Sequence, residues 1–206
     1  MQHLPPMFVA DAPALDFLNS VAMLVDVVVE WLDDGEGLLS WLVQAQLVSA
    51  SVVKQVRSQS FPGELNNVAE QARNLREWFR GFVQRHSGHP LSADAIRELQ
   101  PLNRLLARDE CFWQIAPAKR KGGLALELRP TRRSRSPEAL LSPIAETLAH
   151  FVCSEDFTYV KACEGLACTL LFADHTRTRA RRWCSMAVCG NRAKQAAHRH
   201  RRKGRS

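Results

Sequence analysis

The sequence predicts an α+β protein: a mainly helical N-terminal domain with a small β-hairpin, then a small cysteine-bearing module that ends in a basic helix. Three observations predict this. Apolar residues recur at three- and four-residue steps over most of the chain before Ser154. Two short apolar runs flank the basic turn Lys119-Arg120-Lys121-Gly122-Gly123. Four cysteines then fall within 27 residues, and a basic run follows the last of them.

In order along the chain, Ala14 to Met23 carries Leu15, Leu18, Ala22 and Met23 at helical spacing and predicts the first helix. Val27-Val28-Val29 reads equally as a short strand or as a continuation of that helix. Leu38, Leu39, Leu42 and Val43 form the next stripe, with Trp41 beside it and Gly35 and Gly37 at its start. The clearest helix runs from about Gly63 to Arg85. Its apolar stripe is Leu65, Val68, Ala69, Ala72, Leu75, Phe79, Phe82 and Val83, and Glu70, Arg73, Arg76, Glu77 and Arg80 lie opposite. Ser87, Gly88, His89 and Pro90 end it. Ser92 reads as the N-cap of a helix striped by Ile96, Leu99, Leu102, Leu105 and Leu106, which Pro101 should kink.

Cys111 to Ile115 and Leu124 to Leu128 are the expected hairpin strands. Ser136-Pro137 fits an N-cap followed by proline at N1. Leu140, Leu141, Ile144, Leu148 and Phe151 stripe the last body helix, and Pro143 points to a shifted start. Ser154-Glu155-Asp156 is a polar break, which sets the expected modules at 1–155 and 156–206. Trp41, Trp78 and Trp113 are assigned to the core, and the isolated Cys111 and Cys153 are expected to be buried thiols.

Of the 206 residues, 46% are hydrophobic, which supports a buried core and excludes wholesale disorder. The net charge of +7 is uneven. From Arg177 to Ser206 there are 11 basic and no acidic side chains, and the other 176 residues hold 17 basic and 21 acidic ones. Such asymmetry points to a polyanionic partner at the basic end. The start lacks a basic signal-peptide region, and Asp26 interrupts the longest apolar run, which is too short for a bilayer. A cytoplasmic protein with reduced thiols and no membrane partner is expected. Clustered cysteines then read as metal ligands.

Cys163 and Cys168 enclose four residues, as do Cys184 and Cys189, with fifteen residues between the pairs. Zinc takes four ligands tetrahedrally, with sulfur at about 2.3 Å, and two short chelate loops supply them. With four protein ligands no position stays open, so the expectation is one structural Zn²⁺ in a four-cysteine module. His175, His198 and His200 are then spare. No Gly-rich phosphate loop or nucleophile–base arrangement is evident, so no catalytic residues and no enzyme activity are expected.

Asn191 to Lys203 is rich in helix formers. Ala193, Ala196, Ala197 and His200 gather on one narrow side, where they should pack on the zinc core. Cations spread over the rest. Arg181, Arg182, Arg192, Lys194, Arg199, Arg201, Arg202 and Lys203 are the expected nucleic-acid contacts, suited to a major groove or a phosphate track.

Two segments, Arg181-Arg182-Trp183-Cys184-Ser185-Met186 and Cys189-Gly190-Asn191-Arg192-Ala193-Lys194, resemble the bacterial CGNR zinc-finger family. Phe172 and Asp174 fit its Phe-x-Asp stretch, and His175 and Thr178 depart from it. The resemblance implies that the four cysteines bind zinc, that the finger binds DNA, and that the protein regulates transcription under stress. Ala14-Leu15-Asp16-Phe17-Leu18-Asn19 and Leu38-Leu39-Ser40-Trp41-Leu42 resemble the ABATE domain that precedes such fingers. The two modules are thus an ABATE-like regulatory domain and a CGNR-type finger. Within the body, Asp16 and Asn19 are either small-molecule contacts or buried polar ties, with the tie favoured. The expected function is a zinc-dependent, DNA-binding transcriptional regulator whose body senses a small-molecule effector or mediates homodimer assembly. The alternative is an RNA-binding or ribosome-associated zinc protein.

Overall fold

The computed structural model describes residues 5–24, 27–120, 123–133 and 135–203, with only the backbone described at 119, 120, 123, 124, 197 and 199–203. The chain is α+β. Eight α-helices and three separate two-stranded antiparallel sheets are present among the described residues.

Helix α1 (Pro13–Leu18) is buried almost throughout and lies at the centre of the core. It packs on α4 (Glu64–His86), α7 (Leu141–Ser154) and β6 (Leu171–Ala173). The apolar stripe read from the sequence is the buried face of α4: Val68, Ala69, Ala72, Phe79, Phe82 and Val83. Arg76 lies on the same buried side. Its guanidinium donates to both Glu30 carboxylate oxygens, at 2.7 and 2.5 Å, and to Ser20 Oγ at 2.9 Å. That pairing is what makes a buried arginine tolerable. Helix α2 (Gly35–Gln44) crosses α4 at close range. A Cβ on Gly35 would lie 2.4 Å from Leu65 Cβ, so only glycine fits there.

The first predicted helix is shorter than its spacing suggested. It stops at Leu18, because Asn19 turns its side chain toward β6 and Ser20 Oγ donates to the Phe17 carbonyl. Ala22 and Met23 instead belong to β1 (Val21–Leu24), which pairs with β2 (Val27–Glu30). Val27-Val28-Val29 is therefore a strand. Helix α3 (Ala50–Gln59), capped by Ser49, went unread in the sequence; its buried signal is only Val53 and Val56.

The helix expected from Ser92 is two pieces, α5 (Ala95–Glu98) and α6 (Gln100–Leu106), and Asp94, not Ser92, stands at the first N-cap. Pro101 falls in the first turn of α6, where a missing N–H is no loss. Pro143 is accommodated the same way, because a 3-10 turn (Pro137–Leu140) precedes α7.

The hairpin is longer than predicted: β3 (Cys111–Arg120) pairs with β4 (Gly123–Arg132) over ten residues each. Trp41 is buried and Trp78 is half-buried. Trp113, assigned to the core, is instead 68% exposed, because no layer covers its face of the hairpin. Cys111 and Cys153 are also exposed, not buried. One lies at the start of that hairpin and the other on the outward side of the last turn of α7.

Among the described residues no helix is long and apolar enough to cross a membrane. Truncating Phe79 to Ala should lower the unfolding free energy by about 3–5 kcal/mol in a guanidinium titration. Cys153→Ser, on the exposed turn, should leave it within about 0.5 kcal/mol.

Candidate metal centre and the basic helix

Strands β5 (Val160–Ala162) and β6 form a short hairpin whose β6 side is part of the body's core. Cys163 directly follows β5, and its N–H donates to the Leu170 carbonyl. The chain then turns tightly: Cys168 N donates to Gly165 O at 3.0 Å, and Gly165 N donates to Cys163 Sγ at 3.3 Å. A Cβ on Gly165 would stand 2.9 Å from Cys189 Sγ, so this turn requires glycine. On the other side Cys184 N also donates to Cys163 Sγ, at 3.3 Å. Cys189 sits in a π-helical turn (Met186–Gly190) that continues without a break into α8 (Asn191–Lys203).

The four sulfurs lie within 4.8 Å of one another. Cys168 and Cys184 are 3.9 Å apart, and Cys184 and Cys189 are 3.7 Å apart. A tetrahedral ion with sulfur at about 2.3 Å sets neighbouring sulfurs about 3.8 Å apart. Among the described residues this is the one group of three or more metal-ligating side chains that close. Cys163, Cys184 and Cys189 are buried. Without a cation the sulfurs oppose one another. Contact with the Cys168 sulfur, and then burial, push the Cys184 thiol far above its ordinary range. Burial pushes Cys189 up to about 11. Cys168, accepting a hydrogen bond from Cys184, is lowered to about 5. Four thiolates in this space therefore require a dication, and one structural zinc supplies it, with the two N–H donors to Cys163 offsetting part of the remaining negative charge.

Beneath the cluster, Asp174 is fully buried. Burial alone would raise its pKa, but its donors hold it well below the carboxylate range. These are Lys161 Nζ at 2.7 Å, the Thr176 hydroxyl and N–H, and Arg181 N. Arg181 was expected to face nucleic acid, but its side chain is held inward. It donates to Asp11 at 2.6 Å, to the carbonyls of Val9 and Trp183 at 2.8 and 2.9 Å, and to the Cys184 carbonyl. Its guanidinium also lies 4.3 Å from the Phe172 ring centroid. Most of its donors are thus committed to clamping the second cysteine turn to the N-terminal segment. Arg182 is exposed but paired with Glu164 at 2.6 Å. Arg192 and Lys194 are exposed, with no ion pair among the described residues. The side chains of Arg199, Arg201, Arg202, Lys203, Ala197 and His200 lie outside the described residues.

The alanine side of α8 is only half-covered: Ala193 and Ala196 are intermediate in exposure, and the helix packs chiefly on the π-turn before it. His175 pairs with Glu155 at 2.9 Å, and His198 is exposed. Asp16 accepts from Val9 N and Ala10 N at 2.9 and 3.0 Å. Asn19 bridges both backbone groups of Leu171, accepting from its N–H at 2.9 Å and donating to its carbonyl at 2.8 Å. Both are ties. Neither lines the cavity of about 570 Å³ at the start of α2, whose walls include Trp31, Asp34, Glu36 and Trp41. Sequence reasoning missed the clamping role of Arg181 and the Lys161–Asp174 pair; the one signal available was the place of Asp174 in the Phe-x-Asp stretch.

Residues 11–155 match the family model ABATE, described as "Putative stress-induced transcription regulator". Residues 159–202 match the CGNR zinc finger. No curated protein matches the chain.

Elemental analysis of the purified protein should give one zinc per chain. Cys184→Ser should release it while circular dichroism keeps the signal of the body helices, since those helices do not use the ligands; full metal content in this variant would refute the ligand set. A second expectation concerns Asp16, whose burial raises its pKa from the ordinary 3.8 to about 6. The folded state then binds the proton first as pH falls, so this carboxyl lowers stability progressively as pH rises from about 3.8 to about 6. Asp16→Asn keeps an acceptor for both N–H groups. Its melting temperature relative to the parent should rise as pH increases through that window and level off above it. A flat difference from pH 4 to 8 would contradict the assignment.

Proposed function

Since the chain belongs to the ABATE family and carries a CGNR zinc finger, we propose that it is a zinc-dependent DNA-binding regulator of transcription. The observation that carries this reading is the continuity of the last ligand with the basic helix. Cys189 lies in the turn that becomes α8, so the metal fixes where the helix starts and which way it points. Arg192 and Lys194 extend from its first turn unpaired among the described residues, whereas Arg181 and Arg182 are engaged with carboxylates. No acidic side chain lies beyond Asp174 in the sequence. The thirteen residues of α8 span about 20 Å, long enough to cross a major groove about 12 Å wide.

An RNA partner would call for exposed rings beside the cations. Phe172 is buried, and Trp183 is half-buried with the Arg182 guanidinium 5.0 Å from its ring centroid, which favours DNA. In this reading the body is regulatory, not catalytic: it receives a signal or governs assembly, and it holds the finger through Asn19 and through Val9 and Asp11, which accept from Arg181.

Selection from random duplex DNA, with an RNA pool alongside, tests the partner class; enrichment of RNA alone would refute the reading. If about six phosphates are neutralised, log affinity against log salt should have a slope on the order of −5. A chain ending at Arg192 should lose most of it. Arg192→Ala should weaken binding to the selected site by about 1–3 kcal/mol with an unchanged melting temperature. Arg181→Ala should lower the melting temperature as well, since it strands the carbonyls of Val9, Trp183 and Cys184. A destabilised Arg192 variant would reassign that residue to the zinc fold.

A further inference from the structure

The β3–β4 hairpin has one face that is apolar over its three middle pairs and turned to solvent. The register places Trp113 opposite Pro130, Ile115 opposite Leu128 and Pro117 opposite Leu126, all on this face. Trp113, Ile115, Leu126 and Leu128 are 68, 68, 67 and 64% exposed. The reverse face carries the polar residues Gln114, Glu127, Arg129 and Thr131, together with the half-buried Phe112, Ala118 and Ala125 and the buried Ala116. The larger apolar side chains thus lie on the uncovered face, whereas in ordinary strand alternation the apolar face is the covered one. The two strands pack chiefly on each other, so no other part of the chain supplies the missing layer among the described residues.

The four side chains expose roughly 400–500 Å² of apolar surface, at the upper end of what a monomer ordinarily leaves in water. The same register puts Arg132, which is paired with Asp109 and Glu146, at one end of this face and Lys119 at the other, and the three pairs between them carry no charge, so the partner surface must itself be apolar and flat there. Edge pairing is disfavoured, because Pro117 on one strand and Pro130 on the other lack the N–H that an added strand would need. What remains is face-to-face stacking, with sheets about 10 Å apart and side chains interdigitated. We propose that the occupant is the same face of a second copy, giving a two-fold symmetric dimer. A two-fold axis brings each patch onto itself, so no second complementary surface is needed. Two ribbons of ten residues per strand, about 33 Å long, bury on the order of 1,000–1,200 Å² in total, the lower range of specific interfaces. We expect association in the micromolar range, the weak end for an interface of this size. The pairing does not depend on the DNA reading, and its test needs no nucleic acid.

Sedimentation velocity of the full, zinc-loaded chain across the micromolar range should show the weight-average mass rising toward twice 23.2 kDa. Leu128→Glu and Ile115→Glu should each weaken dimerisation at least about 100-fold, because each buries an unpaired carboxylate in the interface. Both positions are exposed in the single chain, so circular dichroism and zinc content should be unchanged. Gln114→Glu, on the reverse face, should leave the dimer intact. A parent protein that stays monomeric throughout overturns the proposal. So does a dimer that survives both apolar-face substitutions, or one that Gln114→Glu disrupts equally.

Discussion

Asn19 and Leu171 exchange two hydrogen bonds in the buried core, and that exchange ties the first helix of the body to the strand from which the finger is built. The amide of one body residue satisfies both the donor and the acceptor of one finger residue, at a site where an unpaired backbone group is expensive. Around it, α1 lies on β6, and the Ala173 N–H reaches the Ala10 carbonyl. Body and finger therefore share one apolar interior, although their sequence signatures are separate. The metal cluster is built outward from this shared strand pair. Cys163 and Leu170 close the β5–β6 hairpin, and Arg181 ties the second cysteine turn back to Val9 and Asp11.

This arrangement divides the labour between burial and metal. Hydrophobic packing holds β6 against the body without reference to zinc. The sulfurs, by contrast, crowd one another and need the cation to stay charged together. Between these two regimes lies Asp174, a buried carboxylate made stable by Lys161, Thr176 and the Arg181 N–H. It organises the loop that carries the chain from the apolar strand to the cysteine turn.

Much of this was legible in the sequence where one residue type has one job. The four cysteines declared a tetrahedral site by spacing alone, and α4 declared its buried face by period. Legibility failed where a residue's role depends on what faces it. Trp113 and Cys153 look like core by type, yet the hairpin lacks a covering layer and the end of α7 faces outward. Arg181 sits among residues of like charge in the sequence, but in space it meets Asp11 and the Phe172 ring, contacts that spacing along the chain does not encode. The first helix ended early for a similar reason: a tertiary hydrogen bond at Asn19 overrode an apolar period that continued through Met23.

The unbroken passage from the π-turn into α8 makes the last helix a lever. It is anchored at one end by a metal ligand and packs chiefly on the turn from which it grows. Over thirteen residues, about 20 Å, a tilt of about 10° at the anchor sweeps the far end through roughly 3.5 Å. That is about the rise of one base along a DNA strand. A small tilt at the cysteine turns, which Cys163 and Leu170 tie to the β5–β6 hairpin, is thereby largest at the far end of the helix.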